Sequence, residues 1–528
     1  MKTKAHFFPD LNLATILEPA DPRERRHACT KARRACACAW TGAAGAPQDG
    51  LLAAAIVGTI GPSCQAVEVL VQMLEDGMSA ARIDLTWGPI EYHRRSLDNL
   101  QEAMRRTRKL CAVVIDTLGR EVMIRRPFRI DEFGWPTQKG QEIEITAGQK
   151  LMLTTRDVEC DNSQLSVTYP RFADMCEPGD SIYLGRYLVS GSDTASLYLK
   201  VEEVINGTDV VCVTQNAALL DGLLTLFHVE RSTDTLLNMQ NDQPLLSDYD
   251  KECLAALGQV YEIDFVSLSY ARCSEDVAEA RAFLDSAGLG STKIFAKLES
   301  RQSLLNFKGT LSEADGIIIS RGNLGLDCLP EKMALIQKTL IQTCNLVGKP
   351  CLITRVMDTM AITPRPTRAE ATDVANAVLD GVDGILLGQE TLRGAYPCEA
   401  VQTVVSICKQ AEKVFDHHYH FDHLMDTAQE IESIASGAVR AADKVKASLI
   451  VVYTHTGKTA ELVAKYRPPM PILTLVVPRL LSNAIKWRLE GKHNARQCLL
   501  TRGLVPMLAT PQPNGDAMLE EAIMAAAE

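Results

Sequence analysis

Eight short apolar runs recur along this chain, each ending in polar or glycine residues, and they constrain its fold more than any other feature. They are Ile56–Pro62, Ala81–Thr86, Ala112–Thr117, Phe265–Ala271, Lys293–Ser300, Gly316–Gly322, Pro350–Met357 and Gly384–Glu390. Runs of this length suit strands buried on both faces, as in parallel sheets. Helical patterns lie between most of them, for example Val67–Asp76 and Glu331–Leu346. Strand alternating with helix predicts a parallel sheet, and eight such units predict a closed (β/α)8 TIM barrel. The expected fold class is therefore α/β.

One spacing does not fit a plain barrel. Residues 118–264 separate the third run from the fourth, and much of that stretch reads as strands: Lys150–Thr154, Ser181–Val189, Ser196–Val204 and Asp209–Thr214. Gly179-Asp180 and Asn206-Gly207 mark turns between them. An all-β domain inserted at the catalytic face is expected, either as a lid that excludes water or as a passive insertion. After the eighth run, Ile431–Ala442 reads as helix, Ser448–Tyr453 as strand, Thr459–Tyr466 as helix and Pro471–Val477 as strand, a separate α/β domain. The boundaries so read are an extension over 1–50, a barrel over 51–118 and 237–425, an inserted lid over 119–236, and a C-terminal domain over 426–528.

Length and charge narrow the function. At 528 residues roughly three domains are expected. A net charge of −11 argues against a general nucleic-acid or membrane-surface binder. No run of 18 apolar residues exists to span a bilayer. The sixteen cysteines show no zinc-type spacing and read as reduced and mostly buried, which suits the cytosol. Residues 1–50 are Arg-rich, as in a plastid transit peptide. They also carry Asp10, Glu18, Asp21 and Glu24, which fit a disordered extension or a gene-model artefact better.

The tips of the expected strands gather the chemistry. The second gives Arg82, Asp84, Thr86 and Trp87; the third, Asp116 and Thr117; the fifth, Lys297 and Glu299; the sixth, Arg321 to Asn323; the seventh, Thr354. Lys297 and Glu299, two apart on a strand, point the same way; taken alone they are either a surface ion pair or a cation and a metal ligand side by side. No His or Cys nucleophile stands at a tip, so acyl transfer is disfavoured. Fixed cations with metal-binding oxygens are what phosphoryl transfer needs. Thr367 and Glu370 have capping-box spacing at a helix start, and Gly381 suits its end. Gly457-Lys458-Thr459 resembles half a phosphate loop, but Val452 stands where the first glycine belongs, so no NTPase loop is read. Thr454, Thr456, Gly457 and Thr459 either hold an effector phosphate at a helix start or only cap the helix.

The order of GTIGPS, GMSAARIDLTWG, VVIDTLG, AKLES, SRGNLG, PRPTRAEATDVANAVLDG and RGLVPML over residues 55–510 resembles pyruvate kinase. The variants ARIDLTWG, IDTLG and SRGNLG resemble its plant-type cytosolic branch. The resemblance implies a barrel with an inserted lid and a C-terminal α/β domain. It implies transfer of the phosphoryl group of phosphoenolpyruvate to ADP, with Mg²⁺ or Mn²⁺ and K⁺, and a homotetramer. By motif, Arg82 would bind the phosphoryl group, Lys297 would neutralise it in flight, and Thr354 would help deliver a proton. Glu299 and Asn323 would bind Mg²⁺. Asp84, Thr86, Asp116 and Thr117 would hold K⁺, and Glu121 matches the position tied to K⁺ dependence. Gly322 and Asn323 would grip the substrate carboxylate through backbone N–H groups. Asp84, Thr86 and Trp87 would line the nucleotide.

Several positions depart from the family. Asn323 stands where Asp is usual, Leu118 where Lys is, Asp84 where Asn is and Trp87 where His is; the plant-type branch resembles this chain there. Arg120 replaces a proline and would either touch a phosphate or face solvent, the second being the favoured expectation. The family's basic lid residue has no clear match near Ala217–Leu226. The chain ends at Glu528, after a helix expected over Ala517–Ala527, where family members continue into two more strands; an unpaired sheet edge is expected. The resemblance favours an active kinase over a degenerate binding subunit or a barrel lyase acting on oxaloacetate-like substrates.

Overall fold

A computed structural model describes residues 53–126, 129–130, 136–137, 142–186, 196–228, 242–425, 430–482, 487–509 and 524. The N-terminal extension, the end of the strand expected over Ser181–Val189, and all but Met524 of the helix expected over Ala517–Ala527 lie outside these residues.

The eight apolar runs form a closed parallel barrel. Its strands are β1 Ala55–Thr59, β2 Ala80–Asp84, β3 Ala112–Asp116, β4 Phe265–Leu268, β5 Lys293–Leu298, β6 Gly316–Ile319, β7 Cys351–Thr354 and β8 Gly384–Leu387. They pair in chain order, and β8 closes on β1 with Ala55 opposite Gly384. Every residue of β1, β2 and β3 is buried, which explains runs without polar alternation.

Parity along each strand divides two cores. Ala80, Ala112, Val114, Phe265, Phe295, Ile318, Leu352 and Leu386 fill the barrel interior. Their neighbours Ala81, Val113, Val266, Ile294, Ala296, Ile317 and Ile353 pack outward against the helices. Residues two further along an interior-facing strand keep that face. Phe295 inside therefore puts Lys297 and Glu299 at the barrel mouth, Ala80 does the same for Arg82 and Asp84, and Val114 for Asp116.

The insert carries a sheet in the order Leu224–His228, Ser181–Arg186, Leu197–Ile205, Asp209–Thr214, Lys150–Thr154, Gln164–Ser166. It has its own core around Leu151, Leu165, Tyr169, Ile182 and Val210. The chain leaves the barrel after β3 and returns at Ser247, which caps helix Asp248–Gly258. The Asp250 carboxylate of that helix accepts the Leu118 and Gly119 N–H groups at 2.8 and 3.0 Å, tying the outgoing chain to the returning one.

The C-terminal domain, among the described residues, has a parallel sheet of Ile450–Thr454, Ile472–Val476 and Leu504–Leu508. It docks on the barrel through buried arginines. Arg467 pairs with Asp383 at 2.8 Å, Arg496 with Asp264 at 2.8 Å, and Leu500 joins the barrel's interior core. Asp383 and Asp264 immediately precede β8 and β4, so this contact lies at the strand ends opposite the mouth. The capping box expected at Thr367 forms: its hydroxyl accepts the Glu370 N–H at 3.2 Å, and Glu370 accepts the Thr367 N–H at 2.8 Å.

Candidate active site

The barrel mouth holds a buried cluster of alternating charge. The Arg82 guanidinium pairs with Asp84 on its own strand and lies 3.3 Å from Asp116 of β3. Lys297 Nζ lies 3.3 Å from Asp116 and 3.4 Å from Glu299, and donates to Ser269 Oγ at 3.0 Å. Burial alone would lower the Lys297 ammonium, but Asp116 and Glu299 outweigh it and push its pKa up to about 12. Burial likewise opposes ionisation of Asp84, yet Arg82 and Lys297 hold its carboxyl below the usual range. Lys297 therefore stays charged at neutral pH, and the carboxyl groups of Asp84, Asp116 and Glu299 face it and the Arg82 guanidinium.

That excess of negative charge, with no bulk water to solvate it, suits added cations. Asp116 Oδ1 is buried without a hydrogen-bond partner. Asp84 and Asp116 sit in register on β2 and β3, so the oxygens of Asp84, Thr86, Asp116 and Thr117 come from adjoining strand tips. Asn323 donates its amide N–H to Glu299 at 2.9 Å, which leaves the amide oxygen beside the carboxylate. An all-oxygen pair of this kind fits a hard divalent ion that completes its shell from water and substrate phosphate. No group of three or more His, Cys, Asp or Glu able to hold a metal exists among the described residues.

Arg321, Gly322 and Asn323 follow the tip of the sixth strand, as expected, but on a short helix that the sequence did not reveal. β6 ends at Ile319, and the three open the short helix Arg321–Asp327. Their first-turn N–H groups have no carbonyl four residues back within the helix. Arg321 itself is engaged, donating to Thr354 O at 2.9 Å and pairing with Asp373 at 2.6 Å, so it braces the β7 tip. Thr354 donates to Ile319 O at 3.3 Å and is 8 % exposed.

Trp87 packs with Tyr92, Met123, Leu223 and Leu392 in an apolar cluster between the lid and the barrel. The Arg393 guanidinium lies 5.3 Å from its ring centre. Arg120 differs from expectation: its side chain is 11 % exposed and makes a two-pronged ion pair with Asp276, both contacts at 2.8 Å. The carboxylate at the start of helix Ser274–Ser286, too distant in sequence to be anticipated, draws it in. In the C-terminal domain, Thr454 Oγ1 accepts the Gly457 N–H at 3.0 Å, and Gly457 adopts φ +87 at the start of helix Lys458–Lys465.

Three groups were not anticipated at the mouth. Ser269 follows β4 and bonds both Lys297 and the Thr117 carbonyl, the latter at 2.6 Å. Tyr270 donates its N–H to Glu299 at 2.8 Å. Glu390 follows β8, and burial together with Asp358 pushes its carboxyl up to about 7. The alternation of Ser267 and Ser269 at the end of the fourth run was the available signal for the first.

Residues 52–401 match the family model "Pyruvate kinase, barrel domain", and residues 432–528 match "Pyruvate kinase, alpha/beta domain". The chain is 47% identical over 463 residues to rice "Pyruvate kinase 2, cytosolic", covering 87% of this chain and 84% of that protein. It is 38% identical over 485 residues to the soybean cytosolic isozyme, covering 90% of each. The crystal structure of Cryptosporidium parvum pyruvate kinase superposes with a TM-score of 0.79 at 29% identity, covering 90% of this chain and 93% of that one. A second Cryptosporidium parvum structure, titled as a complex with ADP, gives 0.77 at 28% identity over 95% and 93%. With the barrel, the lid and the charged mouth in place, these likenesses show that the chain belongs to the pyruvate kinase family, in its plant-type cytosolic branch.

Proposed function

We propose that the chain catalyses the pyruvate kinase reaction in the cytoplasm with the mouth residues in the following roles. The phosphoryl group leaves the enol oxygen of phosphoenolpyruvate for the β-phosphate of ADP, and the enolate left behind takes a proton at carbon. Arg82 and Lys297 hold the phosphoryl oxygens. Their fixed positions supply charge where it spreads in the transition state, with no reorganisation at the moment of transfer. The Gly322 and Asn323 N–H groups take the substrate carboxylate. Thr354, held by Arg321 and the Ile319 carbonyl, passes a proton toward the enolate through water.

Glu299 and Asn323 would hold Mg²⁺ or Mn²⁺, while Asp84, Thr86, Asp116 and Thr117 would hold K⁺. These ions supply positive charge to the phosphates and to the mouth. Glu121 supports the same wall of the site: burial and then Glu299 push its carboxyl up to about 8, and the Thr225 hydroxyl of the lid bonds it. Nucleotide would lie along Asp84, Thr86 and Trp87 under the lid. The domain limits proposed are 51–118 with 237–425, 119–236 and 426–528. Thr454, Thr456, Gly457 and Thr459 are proposed as an effector phosphate loop, and a homotetramer as the assembly, testable by light scattering.

The observation that carries this reading is the Lys297 ammonium set between Asp116 and Glu299 at a barrel mouth. The test is pyruvate release from phosphoenolpyruvate with Mg²⁺ and K⁺, with ADP present or withheld. ADP-dependent pyruvate supports it. Substrate binding without turnover, persisting after Asn323→Asp, favours a degenerate subunit instead.

A further inference from the structure

The hinge between barrel and lid holds a clamp that the motifs do not account for. Arg120 lies on the outgoing chain, one residue past Gly119. Its Nε donates to the Gln243 carbonyl on the returning chain at 2.9 Å. Its Nη1 donates to the Tyr270 carbonyl at 3.2 Å, and both Nη atoms reach the Asp276 carboxylate at 2.8 Å. A guanidinium fork against a carboxylate fixes direction as well as distance. Asp276 is itself held by the Arg272 N–H at 2.8 Å. The usual proline at this position could make none of these contacts.

The Tyr270 residue is gripped on both sides. Arg120 takes its carbonyl, while its N–H donates to Glu299 Oε2 at 2.8 Å. Its backbone has φ +52, a left-handed conformation that costs a non-glycine residue and persists only when its surroundings hold it. We infer that Arg120 is a positioning residue: it locks the two chains of the lid hinge together and, through the Tyr270 backbone, sets the carboxylate of Glu299 that faces the divalent ion.

The inference rests on the assignment of Glu299 to that ion. The test is the double variant Arg120→Met with Asp276→Asn, which removes both charges without stranding one in the interior. Two readouts are taken on the full chain. Amide hydrogen exchange in metal-free protein covers residues 117–124 and 242–247, with β5 as the internal control. Mn²⁺ affinity is read by electron paramagnetic resonance. The expected result is hinge exchange faster by about tenfold and Mn²⁺ affinity weaker by about tenfold, with β5 unchanged. Unchanged Mn²⁺ affinity, with or without faster hinge exchange, would overturn the coupling to Glu299. A parallel Glu299→Gln variant separates the two claims. If that variant keeps full Mn²⁺ affinity, the metal assignment fails, and the clamp then stands or falls on hinge exchange alone.

Discussion

Lys297→Met is the substitution that most directly tests the charge arrangement at the mouth. The ammonium lies 3.3 Å from Asp116 and 3.4 Å from Glu299. At an effective dielectric of ~20 each contact has a gross attraction of roughly 5 kcal/mol. Desolvation and the neighbouring Arg82 offset much of this, so the measured loss of stability is that of stranding buried carboxylates, about 3–5 kcal/mol. Catalysis loses more. Removing one neutral preorganised donor costs ~10²–10³ in rate, and a buried cation facing a phosphoryl group exceeds the upper end. The variant should therefore turn over at least about 10³-fold more slowly while binding phosphoenolpyruvate within about tenfold of wild type. Coupled pyruvate detection gives kcat, fluorescence titration gives binding, and thermal unfolding reports the loss of stability. A folded variant with kcat within tenfold of wild type would refute the reasoning, because Arg82 would then suffice for the charge.

Three further perturbations follow from local geometry. Asn323→Asp adds charge beside Glu299 and should lower the Mg²⁺ needed for half-saturation by about tenfold, within the 1–3 kcal/mol a charged contact adds; an unchanged Mg²⁺ titration would deny the residue a metal role. Gly119→Ala should destabilise by about 3 kcal/mol in denaturant titration, since φ is +57 and the new Cβ would meet the Ser269 and Leu245 carbonyls at 2.9 and 3.1 Å; a loss under about 0.5 kcal/mol would mean the hinge yields easily. His93 is buried, and burial, partly countered by Asp84, lowers its pKa from 6.5 to about 4. Neutral His93 therefore leaves stability intact above pH 6.5, and stability falls as pH drops from 6.5 toward 4, by up to ~3 kcal/mol. His93→Leu removes only the His93 part of that dependence, so on acidification from pH 6.5 to 4.5 its melting temperature should fall less than that of the wild type; an identical fall in both would refute the assignment.

Much of the mouth was legible in the sequence because strand parity carries it. Once Ile294–Ala296 is a buried strand, the orientation of Lys297 and Glu299 follows with no tertiary information. The same holds for Arg82 with Asp84. The inserted sheet was legible from alternation and turn glycines, down to the limits of Lys150–Thr154 and Asp209–Thr214. Contacts between distant segments were not legible. Arg120 meets Asp276 across 156 residues, and nothing local tells a cation whether such a partner waits. Trp87 is buried by Leu223 and Leu392, each from a different part of the chain. Arg321 read only as a strand-tip cation, and its bracing of Thr354 was not legible because the short helix that turns it there leaves no periodic signature.

The arginine docking at the base of the barrel has a mechanical consequence. Asp264 and Asp383 take Arg496 and Arg467 of the C-terminal domain and lead directly into β4 and β8. The far ends of these two strands deliver Ser269, Tyr270 and Glu390 to the mouth. Each strand is four residues, about 13 Å of fully buried extended chain. Both strands are hydrogen-bonded in register to a neighbour on each side. The floor that the C-terminal domain grips and the mouth that carries the Lys297 and Glu299 partners are therefore joined by single spans of barrel backbone, with no relay of side chains between.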